Sequence, residues 1–261
     1  MAMKKRFLVA TLFTLVGTSA LAQSSFEGFY GQIATGYESN SFSSINGGSV
    51  DTPADNGNLS INAPNQTYGG MPLVLGLGYN FSVAPQWLIG LGVDYSAISQ
   101  TSSSFNPVLT NAPGNTSIPS NVSVTASGAS LQVSNRFNVF LAPGYAIDKD
   151  SLIYLKAGYS SVGTKLNYPG TITATGPGGS STTASGQGGT SSSNTLSGYL
   201  IGLGYKQMIT GGLYGFAEGN YMGYSSSSFS ASKSYIGGSN NISLNPSLNS
   251  YQFLIGLGYK F

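Results

Sequence analysis

Large apolar side chains occupy every second position in the last eleven residues, and small or polar residues fill most positions between them. The apolar set is Tyr251, Phe253, Ile255, Leu257, Tyr259 and Phe261. A period of two is the spacing of a β-strand with one apolar face. A terminal strand of this kind is expected in a closed membrane barrel, whose last strand must pair with its first.

The same pattern recurs along the chain. Four segments share it: residues 74–81, 140–147, 200–207 and 254–261. Each has a tyrosine at its sixth position, and these are Tyr79, Tyr145, Tyr205 and Tyr259. Turn signals follow the first three segments, and the fourth ends the chain. We interpret the four as strands that descend to one membrane interface, where the tyrosines form part of an aromatic girdle.

Four further strands are predicted to ascend from that interface. They cover residues 26–37, 87–95, 151–164 and 213–224. The last is less regular, and we orient it so that Glu218 points inward. Ascending and descending strands together predict an all-β fold, an eight-stranded antiparallel up-and-down transmembrane barrel.

The connections differ in length on the two sides of the predicted barrel. Those beside the four tyrosines are short, whereas the opposite ones are long: residues 39–70, 99–127, 166–193 and 230–249. Outer-membrane barrels have short periplasmic turns and long extracellular loops, so both termini are predicted to lie in the periplasm. The long loops are polar and nearly uncharged. They could be flexible shields of the barrel or a recognition surface.

One proline interrupts the predicted wall. Pro143 lies in the fourth strand, where its missing N–H removes a ladder hydrogen bond. A lateral opening for hydrophobic solutes would need a break of this kind. Because Pro143 lies near the girdle, we expect a β-bulge there instead.

The first 22 residues have the features of a signal peptide. Lys4, Lys5 and Arg6 precede an apolar run that is too short to span a bilayer as a helix, and small residues follow it. With Ala20 and Ala22 at the recognised positions, we predict cleavage before Gln23. The alternative is a short N-terminal membrane anchor. After cleavage, residues 23–261 are predicted to form a single barrel domain.

Composition narrows the classes of function. Cysteine is absent, which excludes disulfides and thiolate metal sites. Charged residues make up 7% of the chain, against about 25% in soluble domains. Removing the signal peptide would leave seven basic and eight acidic residues, a net charge of −1. We find no basic patch and expect no nucleic-acid partner.

The alternation of outward and inward positions along the predicted strands places six charged residues inside the barrel: Asp94, Arg136, Lys156, Lys206, Glu218 and Lys260. A Lys or Arg facing lipid would cost about 2–4 kcal/mol at mid-membrane, whereas inside the barrel charges can pair. Lys206 and Glu218 are expected to be diagonal neighbours, and Asp94 and Arg136 to lie on neighbouring strands at similar heights. The charges could form a structural plug or a gate that passes small ions.

Enzymatic activity is not expected. The chain has no histidine, the usual general acid–base near neutral pH. Asp148 and Asp150 fit turn chemistry, and Asp51 and Asp55 lack other ligands for Ca²⁺. The repeated Gly-Leu-Gly sequences lack the third glycine of a dinucleotide site, and their glycines face the narrow lumen. No metal or cofactor is therefore predicted.

The signal peptide, the eight strands, the alternating loop lengths and the terminal Tyr259-Lys260-Phe261 resemble those of a known group. The chain is similar to small eight-stranded outer-membrane barrels such as the OmpA transmembrane domain, OmpX and the opacity proteins. The resemblance implies that Gly256, Tyr259 and Phe261 form the signal read by the barrel-assembly machinery, although Leu254 replaces the usual polar residue.

The resemblance also implies a place in the outer membrane of a Gram-negative bacterium. Expected partners are outer-membrane lipid and lipopolysaccharide, the barrel-assembly machinery and periplasmic chaperones, with a host-cell or phage ligand possible through the loops. We expect a structural, surface-exposed role. The alternatives are a narrow porin-like channel or small-molecule uptake barrel, and an adhesin.

Overall fold

The structure is a computed structural model that describes residues 24–52, 58–114, 116, 118–168, 170–184, 190–226, 228–235 and 238–261. The predicted signal peptide lies outside these ranges, with its cleavage residues Ala20, Ala22 and Gln23. Asp55 and the side chain of Asp51 also lie outside them. Across the described ranges, no helix has both the length and the apolar character needed to cross a bilayer.

The described residues are mostly in β-strands, with one short 3-10 helix at Pro177–Gly179. The strands are β1 (Gly28–Ser43), β2 (Asn46–Thr52), β3 (Leu59–Asn62), β4 (Gln66–Gly70), β5 (Leu73–Ala84), β6 (Trp87–Ser96), β7 (Gln100–Thr101), β8 (Val108–Asn111), β9 (Ser123–Ser127), β10 (Ser130–Ala146), β11 (Ser151–Tyr168), β12 (Thr171–Thr175), β13 (Ser181–Ala184), β14 (Thr190–Thr210), β15 (Leu213–Tyr224), β16 (Phe229–Tyr235), β17 (Gly238–Leu244) and β18 (Ser247–Lys260).

Eight long strands pair in a closed antiparallel ring. Its order is β1–β5–β6–β10–β11–β14–β15–β18, and β18 pairs back with β1. The short strands β4 and β7 add to β1 and β10 at one end. Because ring closure leaves no open edge, the backbone groups are satisfied around the circumference. The predicted all-β antiparallel barrel is confirmed.

Apolar side chains cover the outside of the ring. Along β18, Phe253 and Ile255 are 67% and 65% exposed, while the alternate residues Gln252 and Leu254 are buried inside. Exposed apolar side chains over a whole wall require a hydrophobic surround. The predicted orientation of β15 also agrees with the structure, since Glu218 is buried and Ala217 is exposed.

Short turns join the strands at the girdle end. Gly211 and Gly212 link β14 to β15 with φ angles of 52° and 90°. Two consecutive positive φ values are those of the primed turns that suit two-residue hairpins. The other two turns at this end, residues 85–86 and 147–150, are also short.

The long connections at the opposite end are not irregular loops over their described residues. Each contributes two strands to a second antiparallel sheet in the order β13–β12–β9–β8–β3–β2–β17–β16, here called the hairpin sheet. Neighbouring connections pair through β12 with β9, β8 with β3, and β17 with β2. Alternating β-branched residues, as in Thr171–Thr175, favour strands. These connections were nevertheless predicted to be loops because their composition is polar.

The expected bulge at Pro143 is wrong. Pairing between β10 and β11 lapses there but resumes in the same register, with Leu141 opposite Ala157 and Gly144 opposite Tyr154. Proline removes a hydrogen bond without inserting a residue, so the register need not shift. The irregularity in β10 lies at Ser134–Phe137 instead, where Asn135 has a φ of 50°.

An apolar layer fills the end of the barrel nearest the hairpin sheet. Its fully buried members on the barrel strands are Phe42, Leu131, Val162, Met222 and Leu248. Buried residues of the hairpin-sheet end, including Ile45, Ile61, Phe229 and Leu244, belong to the same cluster. The hairpin sheet therefore shares a hydrophobic core with the barrel.

Candidate functional site in the barrel lumen

The barrel lumen holds two clusters of buried polar side chains. The hairpin-side cluster contains Glu38, Asn40, Arg136, Tyr224 and Ser250. The girdle-side cluster contains Asp94, Tyr154, Lys156, Glu218 and Asn220. The predicted inward charges therefore lie in the lumen, except that Lys260 is half-buried at the end of β18.

Arg136 organises the hairpin-side cluster. Its guanidinium forms an ion pair with Glu38, and its Nε donates a hydrogen bond to the Tyr224 hydroxyl at 2.9 Å. Its Nη2 donates to Asn40 Oδ1 and Ser250 Oγ, each at 2.9 Å. Several acceptors around one fully buried guanidinium match the donors that arginine offers.

Glu38 is the lumen charge that sequence reasoning missed. Its carboxylate also accepts hydrogen bonds from Asn40 Nδ2 at 2.8 Å and Gln252 Nε2 at 2.5 Å. The predicted first strand ended at Tyr37, which left Glu38 outside the alternation analysis. Extending the alternation by one residue would have placed Glu38 inside.

Lys156 organises the girdle-side cluster. Its Nζ contacts Asp94 and donates to Glu218 Oε1 at 2.7 Å, and it lies 4.0 Å from the Phe140 ring centroid. Glu218 also accepts hydrogen bonds from the Tyr154 hydroxyl at 2.8 Å and from Asn220 Nδ2 at 2.6 Å. One ammonium thus compensates two carboxylates at the middle of the barrel.

The expected neighbour positions of Lys206 and Glu218, and of Asp94 and Arg136, are confirmed, but these neighbours do not form ion pairs. Lys206 and Glu218 are diagonal neighbours, since Gly204 lies opposite Glu218, but Glu218 pairs with Lys156. Arg136 and Asp94 are also on adjacent strands, yet Arg136 pairs with Glu38. An eight-stranded barrel is narrow enough for long side chains to reach across it. The ion pairs therefore form between strands that are not adjacent in the ring.

Lys206 lies among tyrosine rings. Its Nζ is 4.0 Å from the Tyr30 ring centroid, 5.0 Å from that of Tyr214 and 5.2 Å from that of Tyr154. Among the described residues, no carboxylate lies within ion-pairing distance of it. A cavity of about 10 Å³ adjoins Lys206, enough for roughly one water molecule.

Glycines of the repeated Gly-Leu-Gly sequences make room for these rings. A Cβ atom on Gly78 would collide with Tyr30, one on Gly204 with Tyr154, and one on Gly258 with Tyr214. The predicted need for small inward residues thus has a specific cause. The rings of Tyr30, Tyr154 and Tyr214 form what we call the Lys206 cage. This cage depends on three glycines from three different strands.

The four girdle tyrosines all lie on the outer face at the end with short turns. Tyr79 packs edge-on against Phe29 at 4.6 Å between centroids, and Tyr145 contacts Trp87 at 5.1 Å. Tyr205 and Tyr259 are exposed on the outer face.

A second outer ring of aromatic residues lies towards the hairpin sheet: Tyr37, Tyr95, Phe137, Tyr159, Tyr199, Tyr221 and Tyr251. The step from Tyr251 to Tyr259 spans about 26 Å of strand at roughly 3.3 Å per residue. At a strand tilt of about 35–45° this length gives a height of roughly 19–22 Å, slightly less than the apolar band of about 25 Å that outer-membrane barrels have between two aromatic girdles. This second girdle was not predicted from the sequence.

The predicted assembly-signal residues lie at the end of β18. Tyr259 and Phe261 contact each other on the outside at 5.4 Å between ring centroids, and Phe261 N donates to Phe29 O at 2.9 Å. Gly256 faces inward against the Phe216 ring, and Leu254 is buried. The role of these residues in assembly stays a prediction.

The acidic residues outside the lumen do not form a metal site in the described part of the chain. There, no group of three or more His, Cys, Asp or Glu residues could hold a metal ion. Asp148 accepts hydrogen bonds from Asp150 N at 2.8 Å and Ser151 Oγ at 2.9 Å. The bond from the Asp150 N–H lowers the pKa of Asp148 below its ordinary value. These contacts are those of a turn.

Comparison with known proteins gives the family. The model of the outer membrane protein beta-barrel domain matches residues 8–261. No curated protein matches the chain.

Among solved structures, the attachment invasion locus protein Ail of Yersinia pestis is 12% identical, with a TM-score of 0.41, over 90% of this chain and 99% of Ail. The outer membrane protease OmpT of Escherichia coli is 12% identical, with a TM-score of 0.47, over 92% and 98%. OprG of Pseudomonas aeruginosa is 14% identical, with a TM-score of 0.44, over 92% and 99%. Because the family model covers nearly all of the sequence, the chain belongs to the outer membrane protein beta-barrel domain family and to the bacterial outer membrane.

Proposed function

We propose that this protein is a sealed surface barrel that displays the hairpin sheet outside the cell and does not conduct solutes. The observation that carries the proposal is the filled lumen. An eight-stranded barrel leaves only enough interior for side chains. Here that interior is occupied along its length by the Lys206 cage, the two polar clusters and the apolar layer.

Charge balance supports a structural plug. The buried acids Glu38, Asp94 and Glu218 are matched in number by three buried bases: Arg136, Lys156 and Lys206. A conducting gate would have to break these contacts inside a low-dielectric lumen, where an unpaired charge is costly. A plug keeps them intact.

The orientation in the membrane is also proposed. The hairpin sheet faces the exterior, and both termini lie in the periplasm. Short turns at the girdle end and long connections at the other end support this orientation, because outer-membrane barrels have that asymmetry.

A recognition role for the hairpin sheet has specific support. Thr125, Thr173 and Thr183 lie opposite one another on β9, β12 and β13, and the hydroxyls of Thr173 and Thr183 are 3.2 Å apart. Such a row of uncharged hydroxyls, on a sheet that shares its hydrophobic core with the barrel, is a defined polar surface. We therefore propose that this surface mediates adhesion to a host cell or binding of a phage.

Partners and chemistry follow from the same proposal. The barrel wall contacts outer-membrane lipid and lipopolysaccharide, and the barrel-assembly machinery and periplasmic chaperones act during biogenesis. We propose no nucleic-acid partner, cofactor or catalytic activity. The lack of histidine in the sequence supports a non-catalytic role.

Single-channel recording in planar bilayers tests the sealed lumen. The refolded wild type and the Glu218→Ala variant are both expected to show no discrete conductance. Asp150→Ala is the matched control, because it removes an acid from an exposed turn. Reproducible conductance steps in the wild type that change in Glu218→Ala, but not in Asp150→Ala, would instead establish the narrow channel.

A further inference from the structure

The hairpin sheet is open, although the barrel that carries it is closed. The order of the sheet begins at β13 and ends at β16, and among the described strands each of these two has one partner, β12 and β17 respectively. The outer side of an edge strand presents backbone N–H and C=O groups that can pair with another chain. β13 and β16 are therefore the places where the described fold can still accept a strand.

The two edges lie at neighbouring positions around the barrel. The connections that contain β13 and β16 are adjacent because β14 pairs with β15, and that ladder ends at Gly198 opposite Tyr224. β14 continues beyond Gly198 along β11 as far as Thr190. There, Ser192 Oγ donates to the backbone carbonyl of Ser230 at 3.1 Å, whereas no backbone ladder joins β16 to β13 or β14 in the described part of the chain. We call this gap in the hairpin sheet the seam.

The two edges of the seam run in opposite directions. All neighbouring strands of the hairpin sheet pair antiparallel, and β13 and β16 are the first and the eighth in its order. In a sheet whose strands alternate in direction, the first and the eighth strands are antiparallel to each other. A partner that completes the sheet in the same pattern must therefore offer two edges of opposite direction.

A second copy of this chain offers such a pair of edges. Two copies inserted in one membrane share one orientation, so the axis of a symmetric dimer lies along the membrane normal. Rotation about that axis keeps the upward or downward direction of every strand. β13 of one copy then meets β16 of the other in the antiparallel direction, whereas two β13 strands would meet in parallel. The reciprocal pair forms by the same rotation.

The edge strands carry little to oppose such pairing. Proteins commonly protect sheet edges with charged residues or proline, and β13, with the sequence Ser-Thr-Thr-Ala, has neither. Lys233 is the one charged residue in the sequence of β16. Because residues 171–193 contain no charged residue, β13 of a neighbouring copy brings no like charge to Lys233.

We propose that two copies of this chain associate through their seams, with β13 of each copy added to β16 of the other. The two open hairpin sheets then form one continuous sheet without a free edge. This association goes beyond the surface role proposed above. It requires only that the copies share one orientation in the membrane, so it does not depend on which end faces the exterior or on whether the lumen is sealed.

Cross-linking between single-cysteine variants tests the association, since the chain has no cysteine of its own. Thr183→Cys marks β13 and Ser230→Cys marks β16, and both side chains are exposed. The variants are folded together into preformed lipid vesicles, so that all copies enter from one side, and are treated with a short bismaleimide. Because only unlike edges meet, the mixture is expected to yield at least about 5-fold more covalent dimer than either variant alone.

Ser60→Cys is the matched control. Ser60 lies in β3 with a paired strand on each side, opposite Gly48 and Thr110, so it is not at an edge. A mixture of Ser60→Cys with Thr183→Cys should give no more dimer than Thr183→Cys alone. Retention of native strand content by circular dichroism would show that each variant is folded.

A double variant distinguishes association of two copies from closure of the seam within one chain. With Thr183→Cys and Ser230→Cys in the same chain, the reagent should produce mainly covalent dimer on a denaturing gel. A product that is mainly internally cross-linked monomer would overturn the proposal. It would also be overturned if the mixture of the two single variants gave no more dimer than the mixture that contains Ser60→Cys.

Discussion

Glu38 and Arg136 form a fully buried ion pair although their strands, β1 and β10, are separated in the ring by β5 and β6. The pair therefore crosses the lumen. The same arginine also holds Asn40 on β1, Tyr224 on β15 and Ser250 on β18. One side chain thus joins four strands of the barrel from within.

The first prediction concerns this ion pair. Arg136→Ala should lower the free energy of unfolding by about 3–5 kcal/mol, because Glu38 would remain buried without its partner. Urea unfolding of the refolded protein in lipid vesicles measures the change. Lys149→Ala is the control, since Lys149 is 84% exposed in a turn and should change stability by less than about 1 kcal/mol.

Replacing both partners separates the charge effect from packing. The double variant Glu38→Gln with Arg136→Met removes both charges and should be more stable than Arg136→Ala. A double variant as unstable as the single one would show that the buried charge is not the cause.

The second prediction compares the two buried lysines. Lys156→Met leaves Asp94 and Glu218 without their shared cation, whereas Lys206→Met removes a lysine without a carboxylate partner among the described residues. Lys156→Met should therefore cost about 3–5 kcal/mol. Lys206→Met should cost less, about 2 kcal/mol, which is the scale of a desolvated cation–π contact. Equal losses in the same unfolding assay would contradict the asymmetry.

The third prediction concerns an inward glycine. Gly204→Ala should destabilise the barrel by about 1–3 kcal/mol, because the new methyl group would collide with the Tyr154 ring. Gly215→Ala is the matched control, since its nearest side-chain atom would be 3.8 Å away. Adding Tyr154→Leu to Gly204→Ala should recover part of the loss. If Tyr154→Leu recovers none of the lost stability, the collision with Tyr154 is not the cause of the destabilisation.

The fourth prediction tests the hairpin sheet. The chain lacks cysteine, so introduced pairs can be oxidised without background. Thr125→Cys with Thr173→Cys should form a disulfide, since these residues lie opposite each other on β9 and β12. Thr125→Cys with Thr183→Cys should not, because Thr183 is one strand farther away, about 10 Å across the sheet. Mass spectrometry after mild oxidation reads the outcome, and equal cross-linking of both pairs would mean that the sheet does not persist.

The fifth prediction concerns pH. The folded-state pKa of Asp148 is lowered by the hydrogen bond from the Asp150 N–H and by that from the Ser151 hydroxyl. The resulting stability is present above the unfolded pKa, about 3.9, and is lost as the pH falls through the lower folded value. Asp148→Asn should remove this part of the acid dependence. Unfolding curves of both proteins between about pH 2 and 6 measure it, and parallel pH profiles would refute the assignment.

Alternation alone predicted much of the barrel. Each large apolar residue at period two had to face lipid or the lumen, and in the less regular strand 213–224 the charge of Glu218 decided between the two. The prediction was wrong where it relied on amino-acid composition and not on the alternation of residue types. The Ser- and Thr-rich connections were expected to be loops, yet their short β-branched alternations pair with one another once four of them meet at one end of the barrel.

The order of residues along the chain determined which side chains point into the barrel, because a strand turns successive side chains to opposite faces. Which of those side chains touch was decided only when the ring closed. Closure brings β1 within reach of β10, and β11 within reach of both β6 and β15, across a lumen one or two side chains wide. Distances across a cylinder depend on how many strands complete it and on their stagger, and neither quantity is contained in any single strand.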